Sequence, residues 1–177
     1  MLDLLKKRRS VRKYDQKKVP QQEIETILKA ALMSPSSHNS KPWEFIVVRD
    51  PDMLHRLSNS KTHGSKFLKD AVVGIVILVN PQKSDVWIED AAIASLIIHL
   101  TAESLSLGSC WIQIRNRRYD DDYTSDQYIK NLLSVPDIYQ VESIVAIGYP
   151  AVVKSPTDDT NLLFDRVHNE VFGNNYF

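Results

Sequence analysis

The segment 85–107 restricts the fold of this chain more than any other part of the sequence. It is rich in Ala, Ile and Leu, contains no Lys or Arg, and is long enough for six helical turns. A helix that is apolar around most of its circumference has to be covered, because exposed apolar surface is unfavourable in water. We therefore expect this helix inside the molecule or at a subunit interface. Ser84 and Asp85 are predicted to cap its start, and Leu107-Gly108 to end it.

Four segments have the composition of β-strands. The most apolar, VVGIVILV, is continuous and rich in β-branched residues, which predicts a central strand covered on both faces. At about eight residues it is too short to cross a bilayer as a helix. The four predicted strands are residues 43–48, 72–79, 109–115 and 141–148.

Helical patterns lie between these strands. Apolar residues at i, i+3, i+4, i+7 and i+8 from Ile24 predict an amphipathic helix that begins at Pro20 and ends near Pro35. Further short helices are expected near the N-terminus, after Asp50-Pro51 and at 126–133. Four strands are too few for a barrel of eight βα units, so we predict one α/β or α+β domain over residues 1–177.

The chain has a single cysteine, Cys110, so it cannot form an internal disulfide. Its first ten residues, MLDLLKKRRS, lack the long apolar segment of a secretory signal. We expect a soluble protein of the reducing cytoplasm, without a membrane-bound form.

Charge is unevenly distributed along the chain. The 22 Lys and Arg residues balance 22 Asp and Glu residues, yet residues 1–18 hold eight basic residues against two Asp, a net of +6. Such asymmetry indicates that something anionic meets this segment. Nucleic acid, a phosphate and the protein's own acidic surface are all compatible with it.

Several well-known site motifs are missing. With only five glycines, neither GxGxxG nor GxxxxGK[ST] occurs, which excludes a Rossmann fingerprint and a P-loop at the level of motif. There is no HExxH and no GxSxG either. We predict no metal site.

Three segments are candidates for ligand binding. The sequence RRSVR, residues 8–12, offers forked donors suited to phosphate, although it also fits a solvated helix end or a nucleic-acid arm. The polar loop PSSHNSKPW, residues 35–43, could bind a heteroaromatic edge or simply join a helix to a strand. The segment GSCWIQI, residues 108–114, could present main-chain groups to a planar ligand or be an ordinary core strand.

Taken together and in order, the motifs RRSVRKY, SPSSHNSKPW, LGSCWI and AIGYP resemble the FMN-dependent nitroreductase family over nearly the whole chain. The resemblance implies an α+β fold in three layers, with a mixed, mostly antiparallel sheet flanked by helices. It also implies a homodimer with two FMN sites at the subunit interface.

The resemblance further implies how the site is divided. Matched by position, Arg8, Ser10 and Arg12 would hold the phosphate and ribityl end of FMN, with Arg9 beside them. Ile112 and Gln113 would lie against the isoalloxazine ring. The remaining implied residues are the facing subunit's Ser36, Ser37 and Asn39, and the C-terminal cation Lys154 with Arg166 as its alternative.

The chemistry implied is a ping-pong cycle in which NAD(P)H reduces FMN and a small electron-poor acceptor, such as a nitroaromatic or quinone, reoxidises it. An FMN carrier or sensor without turnover is the alternative, and a nucleic-acid-binding dimer is a third hypothesis. One departure from the family pattern is Lys41, which stands where Gln usually precedes Pro-Trp. Lys41 is expected to alter polarity near the substrate mouth.

Overall fold

The computed structural model describes residues 1–177. Its centre is a five-stranded sheet in which every pair of strands is antiparallel. The longest strand, β5, pairs with β1, β3 and β4, and β2 extends the sheet beyond β3. The strands are β1 (Tyr14–Asp15), β2 (Trp43–Val48), β3 (Val73–Val79), β4 (Gly108–Gln113) and β5 (Gln140–Pro150).

Five α-helices cover the sheet. They are α1 (Leu2–Lys7), α2 (Gln21–Leu32), α3 (Pro51–Ser58), α4 (Trp87–Ser104) and α5 (Ser125–Leu133). No helix combines the length and the apolar character needed to cross a membrane.

The sheet separates two hydrophobic clusters, because alternate residues of a strand face opposite sides. On β3, Ile75 and Ile77 pack with residues of α2 and α4, whereas Val76 packs on the other side with residues of α3 and α5. All seven residues of β3 are buried, as expected for a central strand covered on both faces. The layers are therefore helix, sheet and helix, and the expected α+β arrangement is confirmed.

The start of α4 differs from the expected cap. Ser84 and Asp85 precede the helix, whose N-cap residue is Val86 without a side-chain cap. The Ser84 hydroxyl instead donates to Asp90 Oδ2 at 2.8 Å. Ser84 therefore does not cap the helix, but holds the buried carboxyl group of Asp90 in its first turn.

Residues 151–177 form an exposed tail with two short 3₁₀ turns, Asp159–Asn161 and Phe164–Arg166. The tail crosses the N-terminal helix, where Thr157 N–H donates to the Lys6 carbonyl oxygen at 2.8 Å and Lys6 pairs with Asp159 at 2.7 Å. These contacts hold the start of the tail beside the basic N-terminal segment.

Candidate functional site

The basic N-terminal segment lies directly against the outer edge of β4. Ser10 forms an isolated parallel bridge with Ser109, and Val11 N–H donates to the Ser109 carbonyl oxygen at 2.9 Å. Gly108 makes this approach possible, since a Cβ there would lie 2.7 to 2.8 Å from side-chain atoms of Val11. The main chain of residues 10–11 is thereby fixed, with cationic side chains on both sides of it.

We expect Gly108→Ala to destabilise the fold by about 1–3 kcal/mol, because the added methyl group overpacks the contact with Val11. Urea unfolding of the single and double variants measures this effect. The contact with Val11 accounts for this destabilisation only if Val11→Ala lowers the free energy of unfolding less in the Gly108→Ala background than in the wild type. Simple addition of the two costs would contradict it.

Four of the predicted cofactor residues meet at this edge. The Lys154 ammonium donates to the Ser10 carbonyl oxygen at 3.1 Å, and Arg12 lies over the Phe67 ring with its guanidinium carbon 5.7 Å from the ring centre. Arg9 has a different role, because its guanidinium donates to the Ser155 carbonyl oxygen and so holds the C-terminal tail beside the segment. A groove of about 290 Å³ opens between Arg12 and Lys154, lined also by Val11, Lys13 and Val152.

Three cations of the predicted site act on the pKa of Cys110. Burial raises the pKa of the thiol, while Arg12, a hydrogen bond with Ser10, Lys154 and Arg8 all act to lower it. Arg8, Arg12 and Lys154 are therefore near enough to Cys110 for their charges to act on its thiol. Arg166 lies later in the tail, and no hydrogen bond or ion pair joins it to the basic segment.

The second predicted half of the site is the loop between α2 and β2. His38, Asn39 and Lys41 have φ values of 49°, 54° and 45°, an unusual cluster of left-handed residues without a glycine. Two bonds hold this shape: the Ser36 hydroxyl oxygen accepts from Lys41 N–H at 3.0 Å, and Ser37 N–H donates to Asp90 Oδ1 at 2.9 Å. The side chain of Asn39 is exposed, and those of Ser36 and Ser37 are half-buried.

Ile112 and Gln113 lie at the end of β4 with different surroundings. The Ile112 side chain is 1% exposed within the core, and its main-chain groups face β5, where Ile112 pairs with Ile144. The Gln113 carbonyl oxygen accepts from the Lys61 ammonium at 3.1 Å on the outer edge of the strand. Residues 109 and 113 both direct main-chain groups outward, so those of Trp111 between them face the same open edge.

The Gln113 side chain belongs to a polar network behind the strand. Its Oε1 accepts from Trp111 Nε1 at 2.9 Å, and its Nε2 donates to Glu142 Oε1 at 3.2 Å. Glu142 is buried and also pairs with Arg115, whose Nε lies 3.1 Å from Glu142 Oε2. Burial raises the pKa of Glu142, while Gln113 and Arg115 oppose that shift.

Within one chain, the two halves of the site lie at opposite ends of α4. Asp90, in the first turn, holds the loop, whereas Glu103, near the last turn, lines a groove with Lys7 and Arg9. Thirteen residues of α-helix separate the two positions by about 20 Å. The chain alone therefore does not bring Ser36, Ser37 and Asn39 to the basic segment.

His99 is a buried histidine behind the basic segment, with Nδ1 2.7 Å from Ser109 Oγ. Burial and, less strongly, the Arg8 charge lower the pKa of His99 to about 4. In the unfolded chain its pKa is about 6.5, so the unfolded state binds the proton first as pH falls. Stability supplied by neutral His99 is fully present above that value and is lost progressively towards pH 4.

We expect His99→Gln to flatten the pH dependence of the unfolding free energy between pH 6.5 and 4 by up to about 3 kcal/mol. Urea unfolding at half-unit pH steps tests this. His55→Gln, at an exposed position on α3, is the control and should leave the profile as it is. An unchanged slope for His99→Gln would show that His99 is not the group responsible.

Sequence reasoning missed Asp90, Lys61, His99 and Glu142. Asp90 gave the clearest available signal, since it is one of only three acidic residues in a largely apolar helix. Lys61 lies in a polar stretch with no recognisable pattern, and its role as a donor to Gln113 depends on tertiary contacts. Burial and the charge of Arg117 lower the pKa of Lys61, while Cys110 acts in the opposite direction.

Comparison with known proteins identifies the class to which this architecture belongs. The model of the nitroreductase family matches residues 5–61 and 52–149. The chain therefore belongs to the nitroreductase family, and the expected family membership is confirmed.

Individual relatives agree with this assignment. An FMN-dependent nitroreductase from Clostridium difficile R20291 superposes with a TM-score of 0.96 at 49% identity, covering 97% of this chain and 100% of that one. A protein from Archaeoglobus fulgidus named "Putative NADH dehydrogenase/NAD(P)H nitroreductase" is 36% identical over 174 residues, 96% of this chain and 97% of its own length. Mouse iodotyrosine deiodinase 1 is 49% identical over 55 residues, 31% of this chain and 19% of its own.

Proposed function

We propose that this protein is an FMN-dependent oxidoreductase that takes electrons from NAD(P)H and passes them, in a ping-pong cycle, to a small electron-poor acceptor such as a nitroaromatic or quinone. The observation that carries the proposal is that Ser10, flanked in the chain by Arg8 and Arg12, is bridged to Ser109 at the edge of β4, while Lys154 donates to the Ser10 carbonyl oxygen at 3.1 Å. The FMN-dependent nitroreductase of Clostridium difficile, with its near-identical fold, supports it.

The donor set fits a phosphate monoester. Arg8 and Arg12 offer forked N–H donors, the Ser10 hydroxyl adds a neutral donor, and Lys154 adds a point charge. The groove between Arg12 and Lys154 is open to solvent, so a phosphate reaches these donors without burial of an unpaired charge. Arg9 supports the site indirectly, because its bond to Ser155 keeps the tail, and with it Lys154, near the segment.

The open edge of β4 fits the ring of the cofactor. Main-chain groups of Trp111 and Gln113 face outward along a straight edge, and Gly108 keeps Val11 close at one end of it. At the other end, Lys61 holds the Gln113 carbonyl oxygen. We assign to Gln113 a main-chain role beside the ring, since its side-chain amide is bonded to Trp111 and Glu142. Ile112 supports this edge from the core, because its side chain is buried and its main chain pairs with β5.

A second copy of the chain would supply the missing half of each site. The outer face of α4 exposes Ile93 and Leu96, at 38% and 47%, near the middle of the helix. A two-fold axis near Leu96 sets two α4 helices antiparallel, so the loop at the start of one meets the basic segment at the end of the other. We therefore propose a homodimer in which Ser36, Ser37 and Asn39 serve the partner's cofactor.

The exposed tail supports the same assembly. In a monomer its apolar and aromatic side chains would remain in water, which is unfavourable over so large an area. A partner surface would cover them. These side chains are Val152, Val153, Leu162, Leu163, Phe164, Val167, Val171, Phe172, Tyr176 and Phe177.

Bound FMN supplies hydride and electron transfer, and the chain's own residues position it and control access. The cations fix the phosphate end, the edge of β4 supports the ring, and the exposed Lys41 adds a positive charge beside the partner-facing loop. No protein nucleophile is required for this reaction.

Titration of flavin-free protein with FMN, followed by anaerobic addition of NADH or NADPH, tests the proposal. We expect about one FMN per chain and loss of the oxidised flavin absorbance with at least one nicotinamide, reversed by a nitroaromatic or quinone. Failure to bind FMN would overturn the proposal. Bound flavin that neither nicotinamide reduces would replace it with the carrier or sensor hypothesis.

A further inference from the structure

We infer that Asp90 is a positioning residue that sets the Ser36–Lys41 loop in the shape required to bind the partner subunit's cofactor. The inference rests on the proposed function and assigns to α4 a second task besides dimer contact. Asp90 is 2% exposed, and both of its carboxyl oxygens are used. Oδ1 accepts from Ser37 N–H at 2.9 Å, and Oδ2 accepts from the Ser84 hydroxyl at 2.8 Å.

The loop needs such an anchor because its backbone is intrinsically unfavourable. His38, Asn39 and Lys41 all adopt left-handed conformations, each of which costs free energy for a residue with a side chain. Within the loop, only the Ser36 hydroxyl bond to Lys41 N–H opposes this cost through a side chain. The bond from Ser37 to Asp90 ties the loop to a long helix, which is a more rigid support than the loop itself.

The placement of Asp90 fits this task. It lies in the first turn of α4, where an acidic side chain is favourable beside the helix N-terminus. The same helix carries the exposed dimer face, so the loop is held in fixed relation to the partner. Ser84, on the connection before α4, fixes the second carboxyl oxygen and so the orientation of the group toward Ser37.

Asp90→Ala tests the inference, with Asp52→Ala, an exposed acidic residue in the first turn of α3, as the matched control. We expect the FMN dissociation constant to rise at least tenfold for Asp90→Ala and to change less than twofold for Asp52→Ala. Asp90→Asn should restore binding to within about threefold of wild type. Its Oδ1 still accepts from Ser37, and its Nδ2 donates to the Ser84 oxygen.

Mixed dimers separate a positioning role from general damage to the fold. One subunit carries Asp90→Ala and the other carries Arg8→Ala with Arg12→Ala. If the loop serves the partner's cofactor, one site of the mixed dimer is intact and the other has both defects. We therefore expect one tightly bound FMN per mixed dimer, although neither variant binds FMN tightly as a homodimer.

Two results would overturn the inference. Wild-type affinity in Asp90→Ala would show that the loop needs no anchor, and mixed dimers with no tight site would show that the defect is not passed to the partner. Failure of the proposed function is distinguishable from both, since wild-type protein would then bind no FMN at all.

Discussion

The double variant Arg8→Ala, Arg12→Ala is expected to bind FMN between a hundredfold and ten-thousandfold more weakly than the wild type. A hydrogen bond from a charged donor contributes about 1.5–3 kcal/mol, and each 1.4 kcal/mol is a factor of ten in affinity. Two guanidiniums on one phosphate therefore account for two to four powers of ten. Fluorescence titration of the flavin-free protein with FMN measures the effect.

Lys18→Ala is the control for this variant, because Lys18 is an exposed cation of the same basic segment that lines neither groove and, unlike Arg8 and Arg12, does not act on the pKa of Cys110 on β4. The FMN dissociation constant of Lys18→Ala should stay within twofold of the wild-type value. An equal loss for Lys18→Ala would mean that only the overall charge of the segment matters. Unchanged FMN binding by the double variant would show that the phosphate binds elsewhere on the protein.

Leu96→Asp is expected to convert the proposed dimer to monomers and to abolish tight FMN binding. A residue beside a two-fold axis meets its own copy, so this substitution brings two carboxylates together in an apolar contact. Desolvation and repulsion of about 4 kcal/mol raise the dimer dissociation constant roughly a thousandfold. Light scattering coupled to size-exclusion chromatography measures the mass, and FMN titration measures the coupled loss.

Ile138→Asp provides the comparison, since Ile138 is equally exposed, at 53%, but lies in the turn before β5. It should remain dimeric and retain FMN. Tight FMN binding by monomeric Leu96→Asp would contradict the division of each site between two chains.

Periodicity predicted the regular elements well. Strand β2 has the predicted bounds, and β3 begins one residue later than predicted. These segments carry their own signal, because burial on a strand or helix repeats along the sequence. The two-residue strand β1 was not predicted, since Tyr14 and Asp15 are strand residues only through pairing with the end of β5.

The candidate site was less accessible from sequence. Motif resemblance indicated the residues of the site and favoured Lys154 over Arg166, but it did not indicate the contact from Lys154 to the Ser10 carbonyl oxygen, which depends on the fold of the tail. Nor did it predict the left-handed residues of the loop, because non-glycine residues reach that conformation through tertiary bonds such as that from Ser37 to Asp90. The predicted Ser84 cap was also wrong, because the Ser84 hydroxyl donates to the Asp90 carboxyl group in the first turn of α4 instead of to a main-chain group.

Under the proposed assembly, the length of α4 sets the distance between the two cofactors of a dimer. The Ser36–Lys41 loop is attached near one end of this helix, and the basic N-terminal segment lies near its other end. Insertion of a single residue would rotate the two ends by about 100° relative to each other and misalign both sites at once. The length of α4 is therefore constrained independently of the side chains on its exposed face.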